Sequence, residues 1–192
     1  MNAAIVGAMS EYGIFALGHS TRSFDAFVKL LHAHDIHILA DIRTVPQSRR
    51  HPQYAQAFLE RALPLENIRY VHLKPLGGLR KPKPDSVNLG WKNSSFRGYA
   101  DYMQTPEFEH GLAELIALAR TGNVALMCAE GNPFRCHRQL VADALTARGI
   151  PVRHIVSRKT ARRHTLNPRA HVQDGHVTYP ADAANNSDAN DV

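Results

Sequence analysis

The two cysteines of the chain flank one predicted turn, in the segment LMCAEGNPFRCHRQLVADAL. Cys128 closes an apolar run that predicts a strand, and Cys136, His137 and Arg138 open the helical pattern that follows. The first turn of a helix carries free backbone N–H groups and the positive end of the helix dipole, which stabilise anions and thiolates. The turn is therefore suited either to bind an oxyanion or to activate a cysteine thiol.

Two further interpretations of the cysteines are open. A free cysteine is most often a small buried hydrophobic side chain, and Cys128 follows an apolar strand. The segment also resembles the anion-binding loop of rhodaneses and cysteine phosphatases, in which five residues separate the nucleophile from an arginine. Here six residues separate Cys128 from Arg135, and a proline interrupts them, so the match is partial.

A metal site is the remaining alternative. Cys128, Cys136 and His137, with His19 or His72, are ligand types that zinc and iron prefer. No CxxC or HxxxH spacing accompanies them. The cofactor is therefore unassigned from the sequence, with a metal ion as an open alternative.

Polar residues also follow the other predicted strands. The first strand is followed by GHSTR, the second by DIRTVPQSRR, and the third ends near His72. In an open parallel sheet, ligands bind beyond the carboxyl ends of the strands. The candidate catalytic residues are His19, Asp41, Cys128, Glu130 and Cys136. The candidate ligand-binding residues are Gly18, Ser20, Arg43, Ser48, His72, Gly77, Gly78, Arg135, His137 and Arg138.

Asp41 and Arg43 have two interpretations. In the first, the aspartate caps a loop and pairs with the arginine. In the second, Asp41 orients His19 or a ligand hydroxyl, and Arg43 clamps a phosphate. Alternation along a strand puts positions 41 and 43 on one face of the sheet, so mutual pairing is also plausible.

The elements that would position these residues alternate along the chain. Five short apolar runs, many of them rich in β-branched residues, predict strands near residues 14–17, 36–42, 68–73, 124–127 and 152–156. Helical patterns lie between most of them, with N-terminal signals at Ser23, Pro52 and Thr105-Pro106. This order predicts an α/β fold: an open, mostly parallel sheet of about five strands with helices on both faces, a Rossmann-like three-layer sandwich.

The chain length of 192 residues and the hydrophobic content of 44% predict one domain with a tail. We expect an N-terminal extension over residues 1–13 and a single α/β domain over residues 14–160. Residues 161–192 are predicted to be a basic and then low-complexity tail, partly disordered. Residues 74–97, rich in glycine, proline and basic residues, are expected to be a long loop that is either functional or disordered.

The composition also indicates where in the cell the protein acts and which ligands it favours. No run of 18 apolar residues and no signal peptide is found, so we expect a cytoplasmic protein without membrane contact. The net charge of +6 and the pI of about 9.6 favour an anionic ligand such as a nucleotide, a phosphorylated metabolite or nucleic acid. The oligomeric state is not predicted.

Two basic segments are candidates for contact with a nucleic-acid backbone. Aromatic residues among cations suit single-stranded nucleic acid, which binds by stacking and charge, although most charge runs are only solvated surface. The first segment holds Lys74, Arg80, Lys81, Lys83, Lys92 and Arg97 with Trp91 and Phe96, and the second holds Arg153, Arg158, Lys159, Arg162 and Arg163.

With these residues in view, the chain resembles the bacterial domain of unknown function 488 family. The matching pieces, in the family's order across about residues 14–156, are LGHSTRSFDAFVKLL, LADIRTVPQSRRHPQY, IRYVHLKPLGGLR, FRGYADYMQTPEF and LMCAEGNPFRCHRQLVADAL. The resemblance implies a small cytosolic α/β protein whose biochemical activity is not established. It also includes the residues selected from the strand ends.

Three functions follow as hypotheses. The favoured one is a hydrolase-like or transferase-like enzyme for a phosphate-bearing ligand, a nucleotide or a nucleic-acid end. In it, His19 is the acid or base, Glu130 is a further candidate base, Arg43 and Arg138 clamp the anion, and Cys128 or Cys136 is the nucleophile or a metal ligand. The alternatives are a non-catalytic nucleic-acid-binding module and a metal or redox sensor.

Overall fold

A computed structural model describes residues 13–47 and 49–181 of the chain. Within them, the strands are β1 (Ile14–Gly18), β2 (Ile38–Asp41), β3 (Arg69–His72), β4 (Val124–Cys128), β5 (Val152–Ser157), β6 (Thr160–Arg163), β7 (His171–Gln173) and β8 (His176–Thr178). The α-helices are α1 (Phe24–His32), α2 (Gln56–Ala62), α3 (Ser94–Tyr102), α4 (Pro106–Leu118) and α5 (Arg138–Ala147). Short 3-10 helices lie in four of the connections.

The main sheet has six strands in the order β3-β2-β4-β1-β5-β6. The first five are parallel, and β6 turns back to pair antiparallel with β5. This arrangement confirms the predicted open, mostly parallel α/β sheet, with one antiparallel edge strand more than the five predicted. β7 and β8 form a separate two-stranded hairpin.

The two faces of the sheet bury two different cores because side chains alternate along each strand. In β4, Leu126 and Cys128 pack in the core formed with α3, α4 and α5, whereas Ala125 and Met127 pack in the core formed with α1 and α2. Helices therefore cover both faces, as predicted. The alternation places the Cys128 side chain on the α5 side of the sheet.

The chain leaves neighbouring strands toward opposite faces. β1 and β2 are followed by α1 and α2 on one face, while β4, which lies between them, is followed by α5 on the other. Loops that diverge in this way open a crevice at the carboxyl ends of the strands. The crevice lies where the residues singled out in the sequence converge.

Two of the predicted helix starts form as expected. The Ser23 hydroxyl accepts from the Ala26 N–H at 3.3 Å, and the Thr105 hydroxyl accepts from the Phe108 N–H, also at 3.3 Å. Pro52, in contrast, begins a 3-10 helix, and α2 starts only at Gln56. These caps satisfy backbone donors that would otherwise lack a partner at the helix start.

The glycine-rich and basic segment after β3 is held in place by one buried carboxylate. Asp101 of α3 accepts hydrogen bonds from the Lys83 N–H at 2.8 Å, the Ser86 hydroxyl at 2.6 Å and the Asn88 amide at 2.8 Å. A Cβ at Gly98 would lie 2.4 Å from the carbonyl oxygen of Arg80, so the loop packs directly on the helix backbone. The last residues of the predicted loop, 74–97, form the start of α3, a helix that the sequence analysis does not predict.

Residues 161–181, which the sequence assigns to the tail, contain most of β6 and the β7–β8 hairpin. Tyr179, the residue that follows β8, is buried, and its hydroxyl donates a hydrogen bond to Asp143 of α5 at 2.7 Å. The expected N-terminal extension, apart from Gly13, and residues 182–192 lie outside the described residues. Among the described residues, no helix combines the length and the apolar content needed to span a membrane.

Candidate functional site

A cavity of about 750 Å³ opens at the carboxyl edge of β1, β2 and β4. Nine of the residues predicted from strand ends line it: His19, Ser20, Arg43, Gly78, Cys128, Glu130, Arg135, Cys136 and His137. The volume is in the range of ordinary small-molecule sites, roughly 300–1,000 Å³. The structure therefore brings most of the predicted site residues to one crevice.

Cys128 lies at the floor of this cavity and has two close polar neighbours. Its Sγ lies 2.7 Å from Sγ of Cys136 and 2.6 Å from Nη1 of Arg138. Arg138 is only 1% exposed, and its guanidinium also donates to the backbone carbonyls of Glu130 and Gly131. The arginine therefore fixes the loop after β4 and places its positive charge beside the sulfur.

These contacts separate the acidities of the two thiols. The hydrogen bond from Cys136 and the charge of Arg138 lower the pKa of Cys128 from about 9 to about 7, against the effect of burial. The same hydrogen bond and burial raise the pKa of Cys136. Cys128 is thus the thiolate of the pair, and Cys136 is its hydrogen-bond donor.

His137 lies beside the cysteine pair with a defined ring tautomer. Its Nε2 lies 3.1 Å from the carbonyl oxygen of Ile42, which can only accept, so Nε2 carries the hydrogen. The lone pair of Nδ1 then lies 3.8 Å from Sγ of Cys136. Burial lowers the pKa of His137 to about 4, so the ring is neutral at pH 7.

His19 presents an unused ring nitrogen at the other side of the cavity. Its Nδ1 lies 2.8 Å from the carbonyl oxygen of Ser20, so Nδ1 carries the hydrogen and Nε2 the lone pair. That Nε2 is buried without a hydrogen-bond partner among the described residues. Burial lowers the pKa of His19 to about 4, and the ring stacks on Tyr54 with a centroid distance of 4.0 Å. The ring is therefore neutral at pH 7 and keeps a free lone pair on Nε2.

Asp41 does not orient His19 by a hydrogen bond. Its buried carboxylate accepts from the Arg43 N–H at 3.0 Å, from Arg43 Nε at 2.9 Å and from the Tyr70 hydroxyl at 2.8 Å. Arg43 also donates to the carbonyl of Tyr54 at 2.7 Å. The first of the two sequence interpretations, a loop cap and ion pair, therefore describes these contacts, and the role as orienter of His19 is corrected.

Five predicted residues lie behind the wall of the cavity and do not line it: Gly18, Asp41, His72, Gly77 and Arg138. His72 uses Nε2 on the carbonyl of Arg43 at 2.8 Å, which supports the loop after β2. Gly77 lies against Thr44, whose hydroxyl donates to the carbonyl of Gly78 at 2.8 Å. Ser48 lies outside the described residues. These contacts position the lining residues.

Gly18 permits the closest backbone approach in the site. A Cβ at this position would lie 1.8 Å from the carbonyl oxygen of Glu130. We expect Gly18→Ala to lower the free energy of unfolding by about 2–3 kcal/mol, because backbone on both sides must shift. Urea denaturation of the purified protein measures this change.

Gly131→Ala is the matched control. Its Cβ would meet only the Ser20 side chain, with the nearest atom at 3.2 Å. We expect a loss below about 1 kcal/mol. Equal losses for the two variants would contradict the close approach at Gly18.

The lowered pKa of Cys128 gives a pH-dependent prediction. Only the thiolate reacts with iodoacetamide, so the rate of Cys128 alkylation should rise with pH and reach half its maximum near pH 7. Peptide mass mapping separates Cys128 from Cys136. In Cys136→Ala the thiolate loses its hydrogen-bond donor, so the midpoint should move to higher pH. A wild-type midpoint above pH 8.5, or an unchanged midpoint in Cys136→Ala, would count against this assignment.

The sequence did not single out the far wall of the cavity. Asn93, Ser95 and Tyr99 line it there, together with Phe96, which the sequence analysis named only as part of a basic segment. Asn93 is the N-cap of α3 and accepts from the Ser95 and Phe96 N–H groups. The Asn-Ser-Ser run is a helix-start signal, and it is the one local mark of where α3 begins.

The part of the chain that the structure describes contains no group of three or more His, Cys, Asp or Glu side chains arranged to hold a metal ion. The Cys128 sulfur contacts the guanidinium of Arg138, which is a cation and cannot coordinate a metal ion. The described site is therefore a thiol pair beside an arginine.

Comparison with known proteins gives one match. No curated protein and no solved structure matches the chain significantly. A protein-family model, "Domain of unknown function DUF488", matches residues 23–145, which include the Asp41–Arg43 pair, both cysteines and Arg138. Because this match spans more than half of the chain, the protein belongs to the DUF488 family.

Proposed function

We propose that this protein is a thiol-dependent enzyme that acts on a small phosphate-bearing substrate, with Cys128 as its nucleophile. The observation that carries the proposal is the position of the Cys128 sulfur at the cavity floor, within hydrogen-bond reach of Arg138 and Cys136. A cysteine with this environment is a thiolate near neutral pH, and thiolates are strong nucleophiles.

The lining of the cavity favours an anionic substrate. Arg135 and the amino-terminal turn of α3 line it, and Arg43 lines it with its charge paired to Asp41. Glu130 is the single acidic lining residue among those described. The Glu130 carboxylate accepts from the Asn132 N–H at 2.9 Å, so its charge is partly engaged. A helix start and arginine side chains attract phosphate. The predicted role of Arg138 changes under this proposal, because its Nη1 and Nη2 groups already donate to the sulfur and to the loop.

The proposed reaction has two steps. The Cys128 thiolate attacks phosphorus, the S–P bond forms, and the bond to the leaving oxygen breaks, with its proton supplied by water in the open cavity. In the second step, His19 Nε2 removes a proton from a water molecule that attacks phosphorus, and the S–P bond breaks to restore the thiolate. His19 is available for this step because its ring is neutral at pH 7 and its Nε2 lone pair has no partner among the described residues.

The test is a panel of phosphomonoesters, starting with p-nitrophenyl phosphate, and measures release of inorganic phosphate. Quenching in acid followed by peptide mass mapping should find a phosphoryl group on the peptide that carries Cys128. Inorganic phosphate should also slow alkylation of Cys128 by iodoacetamide. Absence of turnover and of protection by phosphate would reject the proposal.

A redox pair is the second candidate, and the short distance between the two sulfurs favours it. Hydrogen peroxide would convert the Cys128 thiolate to a sulfenic acid, and the Cys136 thiol would then displace water to form a disulfide. Peroxide treatment should remove two hydrogens from the mass of the intact protein. If the disulfide forms and phosphoester turnover is absent, this candidate replaces the first.

The nucleic-acid module has less support from the geometry. Trp91 stacks on Phe96 with a centroid distance of 4.8 Å and contacts Tyr179 at 5.4 Å, so its ring is already used within the protein. A stacking platform for bases needs an exposed ring face. Among the described residues, this aromatic pair is therefore better explained as packing of α3 on the C-terminal segment.

A further inference from the structure

Leu79 is exposed in the lining of the cavity, although it is apolar and its backbone is strained. It is 86% exposed, and its φ of +59° lies in the left-handed region. Glycine adopts this conformation freely, whereas a Cβ crowds the backbone carbonyl oxygen there. Two glycines precede Leu79, and neither of them takes the left-handed position. The chain therefore keeps a leucine side chain at a position where glycine would relieve the strain.

The surrounding contacts hold this conformation. On one side of Leu79, the Thr44 hydroxyl donates to the carbonyl of Gly78 at 2.8 Å. On the other side, the guanidinium of Arg80 lies over the Tyr102 ring, 3.5 Å from the ring centroid. Strained residues persist only where their neighbours fix them, and they cluster at ligand sites. The loop after β3 thus holds the Leu79 side chain in the lining of the cavity.

Val45 is a second exposed apolar residue of the same lining. Val45 follows Thr44 and Leu79 follows Gly78, so the hydrogen bond between Thr44 and Gly78 places the two on adjacent stretches of backbone. Val45 is 59% exposed, and among the described residues these two are the exposed large apolar side chains that line the cavity. Single exposed apolar residues are common, but a neighbouring pair in a cavity lining indicates a binding surface.

The position of this pair fits the direction in which a leaving group departs. Cys128, at the floor, is 3% exposed, whereas the exposure of Val45 and Leu79 places them on the solvent side of the cavity. When a nucleophile attacks phosphorus in line, the leaving oxygen lies opposite the attacking atom. The leaving group of a bound phosphomonoester then points away from the floor, toward the side where the apolar pair lies. Inorganic phosphate alone would leave this side of the cavity to water.

We propose that Val45 and Leu79 bind an apolar leaving group, so that the substrates are phosphomonoesters of phenols or of other apolar alcohols. This inference rests on the proposed function of Cys128 and names the substrate class for it. An apolar group that covers the two side chains removes their surface from water, which stabilises the complex. A sugar or glycerol leaving group would gain no such stabilisation.

The test measures how phosphonates protect Cys128 of the full-length protein from alkylation by iodoacetamide. Benzylphosphonate has a methylene in place of the ester oxygen of phenyl phosphate, and methylphosphonate lacks the ring. The P–C bond of both compounds resists hydrolysis, so the assay reports binding alone. In the wild-type protein, half-protection should need at least about tenfold less benzylphosphonate than methylphosphonate, as expected for the burial of an aromatic ring.

The double variant Val45→Thr/Leu79→Asn locates the contact. Threonine keeps the branched Cβ of valine, and asparagine tolerates the left-handed backbone. The advantage of benzylphosphonate should fall below about threefold in this variant, while half-protection by methylphosphonate shifts by less than about twofold, because only the ring contacts the pair. The urea midpoint of Leu79→Asn should equal or exceed that of wild type because the backbone strain is relieved. A folding defect would lower the midpoint and weaken both phosphonates equally.

Leu65→Asn is the matched control, because Leu65 is 84% exposed and is not among the residues that line the cavity. Its advantage for benzylphosphonate should stay within about twofold of wild type. Protection by methylphosphonate without an advantage of the ring would overturn this inference and leave the proposed function of Cys128 in place. An advantage that persists in the double variant would overturn the role of Val45 and Leu79. Absence of protection by both phosphonates and by inorganic phosphate would reject the proposed function, and this inference with it.

Discussion

Cys128→Ser is expected to lower the turnover of a phosphomonoester substrate by on the order of a thousandfold or more. Serine keeps the size of the side chain and can still accept from Arg138, so the fold should persist. Its hydroxyl, however, stays protonated near neutral pH, whereas the cysteine pKa is about 7. The nucleophile is then lost. Initial rates of phosphate release, compared at equal concentrations of folded protein, measure the effect.

Cys136→Ser is the matched control, because it changes the other sulfur of the same pair. Serine can still donate a hydrogen bond toward the Cys128 sulfur, so we expect this variant to lose no more than about tenfold in rate. Equal losses in both variants would indicate that both sulfurs react, as in the redox candidate. Full activity of Cys128→Ser would show that the nucleophile is a different group.

The parallel sheet could be predicted from the sequence because its strands are locally distinct. β1, β2 and β4 are fully buried and contain short apolar runs, since strands covered on both faces need few polar positions. Local caps such as Ser23 and Thr105 also marked two helices. The information for these elements lies within about ten residues of each.

Elements that depend on distant partners could not be predicted in this way. α3 has a glycine in its centre and few apolar residues, and it is stabilised by the loop that Asp101 holds. The β7–β8 hairpin is mostly exposed and is fixed by contacts such as the Gln104 amide on the carbonyl of Val177, at 2.8 Å. Neither contact partner is close in sequence.

The rule that ligands bind at strand ends identified most of the residues that line the cavity, but it did not assign their roles. It could not tell that Asp41 pairs with Arg43 and Tyr70, or that Arg138 contacts the Cys128 sulfur, because both depend on side-chain direction. The hydrogen bonds that join Asp143, His164 and His154 gave no sequence signal either, because the spacing of these residues matches no motif.

Asp41→Asn is expected to lower the free energy of unfolding by about 3–5 kcal/mol. The Asp41 carboxylate is fully buried, and it accepts from Arg43 and from the Tyr70 hydroxyl. An asparagine would remove the negative charge while the Arg43 guanidinium stays in place, 7% exposed and without a counterion among the described residues. The cost is that of an uncompensated buried charge. Chemical denaturation followed by circular dichroism measures it.

Asp25→Asn is the matched control, since it also removes the carboxylate of an ion pair. Asp25 and Lys29 lie 2.9 Å apart on α1, but both side chains are more than half exposed. Water screens such a pair, so the loss should be below about 0.5 kcal/mol. If Asp41→Asn lost no more than Asp25→Asn, the Arg43 charge would have another means of compensation. Asp41 would then no longer be the group that holds the loop after β2.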